Sequence, residues 1–93
     1  MTIILKENSS AIQQKITASG IEVCACASFL DACWLDYHPG VTTSVHGVGF
    51  WGEDPNITSQ QEELERFMQE CTEPYICKDV DEFITKIKES QKQ

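Results

Sequence analysis

Positive charge is what this chain has least of. Seven lysines and arginines stand against fifteen aspartates and glutamates in 93 residues, a formal net charge of −8. That excess repels phosphate backbones and anionic bilayer surfaces, which argues against nucleic acid and membranes as partners. Long apolar runs are missing as well. The opening "MTIILKENSS" holds three consecutive large apolar residues before Lys6, where a spanning helix needs about twenty and a signal peptide about ten. With no leader to read, the expectation is a cytoplasmic chain with reduced thiols.

Catalytic signatures are scarce too. There is no G-x-S-x-G elbow, and "GVGFWG" is followed by Glu53 and Asp54 rather than by the lysine of a phosphate-cradling loop. Asp31, Asp36, Glu53 and Asp54 could supply an acid pair, but a solvated hairpin end explains them equally well. The five cysteines are an odd number, so disulfides cannot account for all of them. Cys24, Cys26 and Cys33, with His46 and His38 near in sequence, are the alternative metal set, suited to zinc or copper(I). They lack the paired knuckle spacing of a structural zinc site. Their charged neighbours Glu22, Asp31 and Asp36 disfavour a reactive thiolate. Packing by small, soft side chains is the preferred reading, with no cofactor.

What is present describes a globular α+β domain over residues 1–93. Hydrophobic residues make up 41% and charged residues 24%, so disorder is not expected. Thr2 to Leu5 is β-prone. Ser9 or Ser10 can cap a helix that carries Ile12 and Ile16 on one face and stops at Gly20. From Ile21 to Phe29 the chain alternates. Ile21, Val23, Ala25, Ala27 and Phe29 suit a core, while Glu22, Cys24, Cys26, Ser28 and Leu30 point away.

"YHPGV" reads as a turn, and Thr42 to Trp51 as the returning strand. Thr58 with Gln61 forms a capping box before Leu64, Phe67, Met68 and Cys71, which share a helical stripe. "EPYIC" is a short strand. Asp79 with Glu82 caps a last helix bearing Val80, Phe83, Ile84 and Ile87. The order β-α-β-β-α-β with an extra C-terminal helix predicts a small two-layer, ferredoxin-like sandwich. Its helices cover one sheet face and leave the other open.

That open face, with the aromatics of residues 31 to 53, sets the functional expectation. Trp34, Tyr37, His38, His46, Phe50 and Trp51 are the candidate contacts for a ligand or partner. The first expectation is a non-enzymatic, acidic interaction module that forms a homodimer through a sheet face or edge and binds a protein partner. The alternative is a metal- or small-ligand-binding domain built on the Cys/His/Trp cluster of residues 24–51. A third is an acidic regulator of a basic protein, using the ten acids between Gly52 and Glu82. Such acids are more simply the wet faces of amphipathic helices.

Overall fold

The computed structural model describes residues 1–24, 32–48 and 60–91. Its elements are β1 (Thr2–Leu5), α1 (Ser10–Ala18), β2 (Glu22–Val23), β3 (Trp34–Tyr37), β4 (Ser44–Val48), α2 (Gln60–Glu70), β5 (Pro74–Cys77) and α3 (Val80–Gln91). They make a small α+β fold with a mixed five-stranded sheet in the order β2-β4-β3-β1-β5.

The helix ends follow local chemistry. The Ile12 N–H donates to Ser9 Oγ at 3.2 Å, so Ser9 is the N-cap of α1. At the other end Gly20 takes φ +94°. There its N–H reaches Thr17 O, and the Ile21 N–H reaches Ile16 O. This is a Schellman stop, and glycine suits it because no Cβ resists the left-handed turn. α3 opens with Glu82 N–H donating to Asp79 Oδ1 at 2.9 Å, while the Lys78 N–H donates back to Glu82 Oε1. Thr58, the expected cap of α2, lies outside the described residues.

The ferredoxin-like order is not what forms. Trp34–Tyr37, to which the expected order assigned no strand, is the middle strand of the sheet. β3 pairs antiparallel with both β1 and β4, β2 pairs parallel with β4, and β5 pairs parallel with β1. One extra strand reverses the sense of every later element. β5 therefore runs alongside β1 in the same direction, where a ferredoxin-like sheet has them opposed. β1 and β2 do point the same way across α1, as a crossover demands, but the β3–β4 hairpin lies between them.

The core divides at the sheet. Ile3, Leu5, Leu35, Tyr37 and Val45 form one apolar face with Ile16 of α1 and Phe83 and Ile87 of α3. On the other face Ile4 and Trp34 meet Leu64 of α2, with Val48, Phe67 and Met68 packed around them. The face expected to be open is thus partly occupied. Ile21 is buried and Val23 packs on the α1–α3 side, as the alternation of that segment requires. Its continuation through Cys26, Ser28 and Leu30 lies outside the described residues.

Candidate functional site

Beyond the apolar contacts of α2, the same sheet face turns polar. Register sets Ile4 opposite Asp36, and Asp36 opposite His46. Side chains at i and i+2 on a strand share a face, so Asp36 also stands beside Trp34 on one side and His38 on the other. Asp36 is only 3% exposed. Its Oδ2 pairs with Nε2 of His38, and Nδ1 of that ring lies 3.2 Å from the Thr2 hydroxyl. Thr2 is itself buried. A neutral imidazole with its proton on Nε2 donates to the carboxylate and leaves Nδ1 to accept from Thr2. His46 is held differently, its Nε2 lying 3.1 Å from Thr42 Oγ1, which also accepts from the Ser44 N–H.

Burial pushes the Asp36 carboxyl above its ordinary range, and His38 and His46 draw it only partway back. Among the described residues, its Oδ1 has no hydrogen-bond partner, and neither has the buried indole N–H of neighbouring Trp34. The Cys71 thiol, at the end of α2, is likewise pushed up by burial. A hydrogen bond with Thr2 opposes that shift, whereas Asp36 and Glu70 reinforce it.

A cavity of about 470 Å³ opens beside this chain of groups, walled by Thr2, His38, Pro39, Phe67, Glu70 and Cys71. That volume falls in the range of small-molecule sites. Hydroxyl, imidazole and carboxylate in sequence are the parts of a hydrolytic relay. Yet Thr2 is buried and the Cys71 thiol is held in its protonated form, so neither stands ready as a nucleophile. What the arrangement offers is a polar wall of fixed orientation.

The sequence-derived candidates separate on this geometry. His38 lines the cavity and His46 lies across from Asp36. Trp34 is 1% exposed, its ring 5.6 Å from that of Phe67, so it anchors α2. Tyr37 faces the α1–α3 core, where its hydroxyl accepts from Gln91 Nε2. Phe50 and Trp51 lie outside the described residues, as do Asp31, Glu53 and Asp54. Among the described residues, no three histidine, cysteine or acidic side chains gather to hold a metal. Of the proposed ligand set, Cys24, Cys33 and His46 are described, and Cys26 is not.

Thr2 and Cys71 were not singled out as site residues from the sequence, and Asp36 was considered only as part of an acid pair with Asp31, Glu53 and Asp54. The available signal was "DYH", whose spacing puts a carboxylate and an imidazole on one strand face. No protein-family model, curated protein or solved structure matches this chain.

Proposed function

We propose that this chain is a small-ligand-binding module whose site is the cleft between the C-terminal end of α2 and the Thr2–His38 end of the sheet. The observation that carries the reading is Asp36. A carboxylate buried in a central strand costs several kcal/mol unless fully partnered, and here one oxygen is held by His38 while the other has no partner among the described residues. A strand needed only for the fold would be at least as stable with an apolar side chain there. A buried acid with a raised pKa behind the wall of a cavity is a candidate binding-site group. Binding is favoured over turnover because neither Thr2 nor Cys71, the described hydroxyl and thiol beside His38, stands as an activated nucleophile. Cys24, Cys33, Cys71 and Cys77 carry free thiols, which suits a reducing compartment such as the cytosol.

An NMR-detected fragment screen on labelled protein tests the reading. Hits should shift the resonances of Thr2, His38, Phe67 and Cys71 together. Hits that map elsewhere, or none at millimolar concentration, would overturn it.

Self-association remains a second reading with one supporting observation. β5 is one of the two edge strands of the sheet, β2 being the other, and Ile76 on it is 39% exposed. A homodimer joined at that edge is the form this proposal takes. The covered positions of Trp34 and Tyr37 remove them as its anchors, and binding to a further protein partner rests on no observation beyond the exposed edge.

A further inference from the structure

We propose that the cleft takes a small organic cation, a primary ammonium carried on a short apolar stem. The inference rests on the binding reading above and assigns the chemistry of the ligand. Among the described residues, the polar groups of the cavity wall are the Glu70 carboxylate at its rim, the Thr2 and Thr72 hydroxyls, the Cys71 sulfur and His38, with Glu70 the one carboxylate. Phe67 adds an aromatic ring, which attracts a cation over its face. Met1, Pro39 and Val41 complete the wall with apolar surface that a stem of a few methylenes can cover.

The field has the same sign. Asp36 lies behind His38 on the strand, and its Oδ1 has no partner among the described residues. The chain as a whole carries −8. Nearby positive groups are few. Among the described residues, no basic group other than His38 and the amino terminus of Met1 lines the cavity, and the Arg66 guanidinium is 4.0 Å from Glu70 on the helix surface. An anion entering here would meet the Glu70 carboxylate at the rim, with Asp36 buried behind His38. A neutral alcohol would gain the apolar contact and forgo the charge. Only a cation satisfies both.

Three probes of nearly one shape decide it: n-butylammonium, n-butanol and n-butyrate, each titrated into isotopically labelled full-length protein. The expected result is saturable movement of the Thr2, His38, Phe67 and Cys71 resonances with n-butylammonium. Butanol should bind at least about threefold more weakly, the worth of a solvent-screened charge pair, and butyrate should not bind. Glu70→Gln, an exposed change that leaves the core intact, should weaken n-butylammonium about threefold and leave butanol unaffected. If butanol or butyrate binds as tightly as the amine, the charge assignment is overturned while the cleft stands. If no probe moves those resonances, the binding reading fails, and this inference with it.

Discussion

Asp36 sets the energetic character of the site, and its titration can be followed. Its pKa in the folded chain lies above the ordinary 3.8, so protonation favours folding. The stabilising contribution is present below that ordinary value and is lost as pH rises through the folded value. Asp36→Asn removes the charge and keeps the shape. Chemical denaturation from about pH 4 to pH 7 should therefore show the wild type losing ground to the variant as pH rises. If the wild type gains instead, the ion pair with His38 outweighs burial.

Glu73 makes a second test at this scale. It holds φ 49° in the connection between α2 and β5, a left-handed conformation that costs a non-glycine residue about 1 kcal/mol. Glu73→Gly should raise stability by about 0.5–1 kcal/mol in urea; a loss would mean that the side chain holds the turn. Cys77, 4% exposed, has its thiol pushed up to about 12, by burial first and by Glu82 and Asp79 next. It should stay silent to a thiol reagent at pH 8 until the chain is unfolded. Reaction at a rate matching a free thiol would place it at the surface. Residue identities alone hinted at little of this, because Asp36 reads as solvent-facing until its strand is known to be central.

Among the elements, the three helices are attached unequally. α3 buries Phe83 and Ile87 completely and is tied to α1 by Lys15 Nζ and Asp81 Oδ1 at 2.8 Å, an exposed pair of small worth. α2 rests on the sheet through Leu64, Phe67 and Met68, of which Leu64 alone is buried. Backbone amides of α2 should therefore exchange with deuterium before those of α3. Leu64→Ala should cost about 2 kcal/mol and widen that difference; equal protection in both helices would contradict the assignment of α2 as the loosest cover.

Both caps of α1, the box at Asp79 and Glu82, and the stripes of α2 and α3 were legible in the sequence, since capping and 3.6-residue periodicity are local. β3 was not. Its side chains are buried on both faces, so "WLDY" shows no alternation of wet and dry, and its one charged residue reads as a loop.

At the scale of the whole molecule, that single missed strand decided the topology. Secondary-structure type could be read almost everywhere described, yet strand order depends on the direction count, which one added strand inverts. The cavity was illegible for the same reason. Thr2 and His38 are distant in sequence and meet only because β1 and β3 are neighbours.

Self-association is also decided at this scale. Light scattering across a dilution series should report a concentration-dependent mass if the β5 edge pairs, and higher salt should favour the dimer by screening copies that each carry −8. A constant monomer mass would leave the cleft as the remaining proposal.

The claim beneath all of this is that a buried, half-partnered Asp36 stands behind His38 in the wall of a binding cleft. Carbon-detected titration of the Asp36 carboxyl, without ligand and then with saturating n-butylammonium, tests it most directly. The account predicts a midpoint above 3.8 in the free protein and a lower one with the cation bound. A midpoint at or below 3.8, unmoved by the amine, would contradict it.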